Sequence, residues 1–216
     1  ILTTKILKFL NRYVFYAIVF LFPLFFLPIF PNYFETGKLL FLTSGLLLLA
    51  IIKIIGTLTE NSFKLSTSKI DIFVVAFSVI YLVSGLIASP NKLASFFVPG
   101  TATFIILSCL FYFFTTQLQQ NERKDVEMVL VVSTLIAAIV QIFSFSGVIQ
   151  KNFSTFGNLL ASITYYMAVL PIAFHCIFKS EKLWKKMLFG AGSFIVLVGI
   201  FISVYLVLPG KDTSII

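Results

Sequence analysis

Long apolar runs separated by short polar clusters organise the whole chain. Residues 1–12 form an amphipathic lead in which Lys5, Lys8 and Arg12 flank Ile6, Leu7, Phe9 and Leu10. The basic start resembles a signal peptide, but no small-residue cleavage site follows, and the apolar run continues to Phe30 as a first span. Pro23, Pro28 and Pro31 are expected to kink its far half and then end it. After PNYFETGK a second span runs from Leu39 to about Ile55, and the Ser- and Thr-rich residues 56–69 read as a loop. A third span covers about Ile70 to Ala88, with Asp71 at its start. SPNKLASFFVPG is a turn punctuated by Pro90, Pro99 and Gly100, and a fourth span follows from Thr101 to Thr116. QLQQNERKDVE, residues 117–127, is the most charged segment and reads as solvated. The fifth span, Met128 to Val148, carries Gln141 in its middle.

The most informative stretch is FSTFGNLLASITYYMAVLP, residues 153–171. It opens as a polar turn, where Gly157 frees the backbone and Asn158 can cap the first N–H groups of a helix. From Leu159 it stays apolar through Phe178, giving a sixth span from about Asn158. KSEKLWKK is a basic loop whose one Trp suits a membrane interface, and a seventh span runs from about Met187 to Leu208.

Seven spans of roughly 16 to 21 residues, at about 1.5 Å per residue, match a hydrocarbon core of about 30 Å. Backbone groups must satisfy each other in lipid, so the spans are helices. The expected fold is all-α: a polytopic transmembrane helix bundle forming one domain over residues 1–216. Ile at position 1 and a stop just after a span lead us to expect the N-terminal part of a longer protein. Counting Lys and Arg gives twelve on the side of the N-terminus and four on the other. That asymmetry predicts a cytoplasmic N-terminus and an extracytoplasmic C-terminus, with the Ser154–Asn158 mouth facing outward.

Composition supports the membrane reading: 59% of the 216 residues are apolar, 27 are Phe, and only 11% are charged. A soluble domain of this size needs far more charge on its surface. The net charge of +8 raises nucleic acid as a partner. The basic residues instead sit in short loops beside the spans and form no stripe on a folded face, which excludes it. Cys109 and Cys176 both lie inside apolar runs and read as small buried hydrophobes.

Candidate chemistry gathers on the expected outer side. Glu35 and Lys38, three residues apart beside Gly37, either pair with each other or meet a charged substrate. An exposed pair of that kind contributes little stability. Lys92, between two prolines, is a phosphate contact or simply a solvated lysine. Gly157 and Asn158, with Lys151 nearby, place a helix N-terminus beside a cation, an arrangement suited to a lipid-linked phosphate. The plain alternative is that every span needs a cap, and on physics alone it is the stronger one. Gln141 reads as a helix-packing amide and His175, the only histidine, as structural. There is no nucleotide-binding glycine loop, zinc spacing or nucleophile–base pairing, so these residues by themselves establish no reaction.

The FETGK start of the second span, the Ser-Pro turn after the third and STFGNLLASITYYMAVLP together resemble the bacterial O-antigen ligase and polymerase family. The resemblance covers nearly the whole chain as the N-terminal half of such a protein. It implies a multi-span glycosyltransferase in the bacterial cytoplasmic (inner) membrane, without metal or nucleotide cofactor. Such an enzyme takes a glycan from an undecaprenyl-diphosphate carrier on the outer side and passes it to an acceptor, which the sequence does not identify. The family's key histidine and arginines lie mainly in a large outer loop and later spans. No catalytic residue is therefore carried over, and residues 1–216 alone are expected to be inactive. Glu35, Lys38, Gly157 and Asn158 are the residues expected to line the substrate side. Two other classes stay open: a transporter or flippase for a lipid-linked saccharide, and a non-catalytic membrane subunit. A carrier should show broken helices in matching halves, and no internal repeat is visible.

Overall fold

The computed structural model of the chain describes residues 2–27, 29, 34–60, 68–97, 102–148, 153–180 and 183–207. Among them the regular structure is entirely helical: α1 (Leu2–Leu21), α2 (Glu35–Glu60), α3 (Lys69–Ala88), α4 (Lys92–Phe97), α5 (Ala102–Thr116), α6 (Gln120–Phe145), α7 (Leu159–Lys179) and α8 (Leu183–Val207). Five of these, α2, α3, α6, α7 and α8, are long and apolar enough to cross a bilayer. The architecture is that of a multi-pass membrane protein. α5 is apolar but has 15 residues, about 22 Å of helix against a core of about 30 Å.

Several boundaries differ from the hydrophobic pattern, each for a local reason. The apolar run to Phe30 predicts a longer first span kinked at Pro23. Instead α1 ends at Leu21, and the N–H of Leu24 closes a turn onto the Leu21 carbonyl at 2.9 Å. A proline disfavours helical geometry in the residue before it, so Phe22 is a natural stop. Pro28 and Pro31 lie outside the described residues. Gly56 to Glu60 look like loop by composition but continue α2. The Thr57 and Thr59 hydroxyls fold back onto the carbonyls of Lys53 and Ile55, at 2.9 and 2.7 Å, so these polar side chains do not compete with the helix. The charged segment 117–127 shrinks to a three-residue connection before α6. Glu122 accepts the Gln119 N–H at 3.0 Å. Arg123 turns back to donate to the carbonyls of Thr116 and Leu118 at 2.5 and 3.1 Å. Its guanidinium thus covers the open carbonyl end of α5, where a cation is favoured. α6 stops at Phe145 because Gly147 takes φ +78°. The N–H groups of Gly147 and Val148 then return to the carbonyls of Ser144 and Phe143, a Schellman ending.

The chain forms two compact units. The first comprises residues 1–18 and 27–123. In it the buried stripe of α2 runs through Lys38, Leu42, Leu46, Leu49 and Ile52 at helical spacing. Phe15 stacks on Phe111 with ring centres 5.2 Å apart. Asp71, at the start of α3, accepts from the Ser68 N–H at 2.7 Å and from the Tyr112 hydroxyl of α5 at 2.9 Å. That contact sets the start of α3 beside the later half of α5.

The second unit comprises residues 19–26 and 124–216. Val131 of α6 packs with Val169, Ala173 and Cys176 of α7 and Phe189 of α8. Further along, Ala137 and Ala138 meet Tyr166, Val196 and Ile200. The order of these contacts makes α7 antiparallel to α6 and α8 parallel to it. Small residues allow the close approach: a Cβ on Gly199 would lie 3.4 Å from Ala138 Cβ and 3.6 Å from Tyr166 Cε2. The Ser133 hydroxyl donates at 2.5 Å to the carbonyl of Phe20, fixing the end of α1 to α6 within this unit.

Candidate functional site

The mouth of α7 is built as the sequence predicts. Gly157 adopts φ +73°, a left-handed conformation that a side chain would strain. Its N–H returns to the Ser154 carbonyl at 2.9 Å, and the Phe156 N–H reaches Ser154 Oγ at 3.1 Å. Asn158 is extended, and its Oδ1 accepts the Leu160 N–H at 2.9 Å as an N-cap. Its carbonyl accepts both the N–H and the hydroxyl of Ser162, each at 3.1 Å. Gly157 and Asn158 are exposed, while Ser154 and Thr155 beneath them are buried.

Two features below the mouth escape a reading for motifs. Ser154 Oγ and Ser162 Oγ lie 2.6 Å apart and clamp the turn to the first coil of α7. Phe156 packs on Tyr165 at 4.7 Å between ring centres and edge-on to Tyr166 at 6.2 Å. The signal is present in the sequence: Asn158, Ser162 and Tyr166 recur every four residues, and so share one face of a helix. One turn deeper, Tyr166 donates to Gln141 Oε1 at 2.9 Å, and Gln141 Nε2 donates to Ser203 Oγ at 2.6 Å. The Ser203 hydroxyl in turn donates to the Gly199 carbonyl at 2.7 Å. Gln141 is 3% exposed, and Tyr166 and Ser203 are 0% exposed. The amide therefore joins α6, α7 and α8, in agreement with its reading as a packing residue. The Thr134 hydroxyl adds a contact to Tyr165 OH at 3.2 Å.

Glu35 and Lys38 belong to the first unit, Gly157 and Asn158 to the second. Glu35 is the exposed first residue of α2, where a carboxylate suits the positive helix end. Lys38 is only 8% exposed, on the buried stripe of α2. Next to it, a Cβ on Gly37 would lie 3.0 Å from the backbone nitrogen of Leu27, so the chain before α2 passes close over this turn. Lys92 is the exposed first residue of the short α4, whose start is capped by Asn91 Oδ1 taking the Ala94 N–H at 3.1 Å. Lys151 lies outside the described residues. His175 is exposed and its Nε2 sits 3.4 Å from the Lys179 ammonium. Cys176 is buried, with its Sγ 3.9 Å from Glu127 Oε2, and Cys109 is half-buried. Among the described residues no three His, Cys, Asp or Glu side chains gather as metal ligands.

Chemically, the mouth offers a rigid rim. Asn158 satisfies the N–H groups of Leu160 and Ser162, and those of Leu159 and Ala161 remain as the helix donors at an exposed positive end. Such a rim can hold an anion. No protein-family model, curated protein or solved structure matches this chain.

Proposed function

We propose that the chain is a glycosyltransferase module of the O-antigen ligase and polymerase type. It meets an undecaprenyl-diphosphate-linked glycan at the outer face of the bacterial cytoplasmic membrane. The observation that carries the reading is the α7 mouth: a left-handed Gly157, an Asn158 cap and an exposed helix start, in the stretch that bears the family resemblance. In this reading the chain crosses the membrane seven times, with its N-terminus cytoplasmic and its C-terminus outside. The mouth holds diphosphate oxygens through backbone N–H groups, stabilising the negative charge that develops on the leaving carrier. The catalytic base is not among the residues assigned. Glu35 and Lys38 join the reading on the charge count and are tested separately.

The test exploits a substitution that separates capping from binding. Asn158→Asp keeps an equally good N-cap but adds a negative charge at the rim. Protein in lipid nanodiscs should bind a fluorescent undecaprenyl diphosphate, and N158D should weaken that binding about tenfold or more through like-charge repulsion. N158D should melt at the native temperature. Equal affinity in N158D and native protein would remove the mouth from the substrate site. Lys38→Met, measured in the same assay, decides the contribution of the buried lysine: unchanged affinity would drop it.

A second reading, a non-catalytic membrane subunit, is favoured by one observation. The buried amide of Gln141 is spent on packing, accepting from Tyr166 and donating to Ser203, which in turn donates to the Gly199 carbonyl. Absence of any saturable undecaprenyl-diphosphate binding would select it.

A further inference from the structure

The end of the second unit opposite the mouth carries a different chemistry. The last turn of α7 bears His175 and Lys179, both exposed and in contact at 3.4 Å. The first turn of α8 bears Trp184, Lys185 and Lys186, with the Lys185 ammonium 5.6 Å from the centre of the Trp184 ring. Between the helices Ser180 closes α7 through its N–H to the Cys176 carbonyl at 3.1 Å. Its hydroxyl oxygen is buried and has no hydrogen-bond partner among the described residues. The same two helix ends carry large exposed apolar side chains: Phe178 is 84% exposed, Leu183 74% and Met187 67%. Cationic groups, an amphipathic indole ring and exposed apolar side chains are the parts that suit a phosphate head group and its acyl chains.

We propose that this end of α7 and α8 is a binding surface for the head group of an anionic phospholipid. Lys179, Lys185 and Lys186 meet the phosphate, and Phe178, Leu183 and Met187 lie along the acyl chains. Trp184 sits at the level between head group and chain, held there by its amphipathic ring and by Lys185. Such a surface is independent of glycan transfer and serves in either orientation of the chain in the membrane. Charge at spans sets orientation in general. What singles out this end is the pairing of that charge with the single tryptophan and with exposed apolar side chains on both helix ends.

Trp184 is the only tryptophan in the protein, so its fluorescence reports the lipids at this surface alone. The full chain is reconstituted in phosphatidylcholine vesicles containing brominated phosphatidylglycerol or, at the same mole fraction, brominated phosphatidylcholine. The expected result is stronger quenching by the anionic lipid, with a relative binding constant of about five or more, the effect of about one well-placed lysine. The triple substitution Lys179→Gln, Lys185→Gln, Lys186→Gln should bring the ratio to about one, whereas the triple arginine variant should keep it. Added sodium chloride should lower the ratio through screening. Inorganic phosphate at the same ionic strength should lower it no further. A ratio of one in the native protein overturns the proposal, as does a preference that survives the glutamine variant. Displacement by phosphate beyond that by chloride would reassign the surface to a soluble anion and equally overturn it.

Discussion

Replacing Gln141 by Leu tests whether the second unit is held in register by a polar joint inside the membrane. Gln141 makes two bonds to other helices, from Tyr166 OH at 2.9 Å and to Ser203 Oγ at 2.6 Å. Interhelical hydrogen bonds in a bilayer are worth about 0.6 kcal/mol each on average, so their loss costs about 1 kcal/mol. Ser203 keeps its donor bond to the Gly199 carbonyl and loses only an acceptor role. Tyr166, at 0% exposure, is left with a hydroxyl that has no acceptor, which adds about 1 kcal/mol or more. Gln141→Leu should therefore destabilise by about 2 kcal/mol, and Tyr166→Phe alone by about 1 kcal/mol. The double variant has no orphaned donor and should cost no more than Gln141→Leu. The cycle then gives a coupling energy of about 1 kcal/mol, above the scatter for independent sites. Reversible unfolding in mixed micelles, followed by helical circular dichroism, measures all four proteins. Additive effects of the two substitutions, or a Gln141→Leu variant as stable as the native protein, would refute the joint.

Other expectations follow from particular contacts. Gly199→Val should destabilise by about 1 to 3 kcal/mol, because its branches must enter the space held by Ala138 and Tyr166. Gly190→Ala, where nothing lies within 4 Å of the new carbon, should instead stabilise by about 0.5 to 1 kcal/mol through helix propensity, and the two melts should move in opposite directions. Arg123→Gln removes one bond to the last carbonyl of α5 and one to the Leu118 carbonyl in the connection that follows. It should speed amide exchange in the connection between α5 and α6 and cost about 1 to 2 kcal/mol. Asp71→Ala deletes the acceptor of both the Ser68 N–H and the Tyr112 hydroxyl. Exchange at the start of α3 should rise and stability fall by about 1 to 3 kcal/mol, with a smaller loss in Asp71→Asn.

The helices of this protein are written locally in its sequence, since a continuous apolar run of about 20 residues in lipid satisfies its backbone groups within itself as a helix. Runs such as 70–88 and 159–178 therefore match α3 and α7 to within a residue. The Asn158 cap and the left-handed Gly157 were legible for a related reason: each depends on one residue and its immediate neighbours. Polar stretches were not decided locally. Residues 56–60 and 120–127 look like loop by composition, yet threonine back-bonding and the Glu122 contact hold them in helix. The partners of buried groups were further out of reach. Gln141 was visible as an amide in a span, but Ser203 lies 62 residues away and Tyr166 25. Asp71 finds Tyr112 across 41 residues, and Lys38 falls on the buried face of α2. An apolar run fixes that a helix exists but leaves its rotation about its own axis free. Only the packing of one helix on another sets that rotation, and with it which polar groups meet.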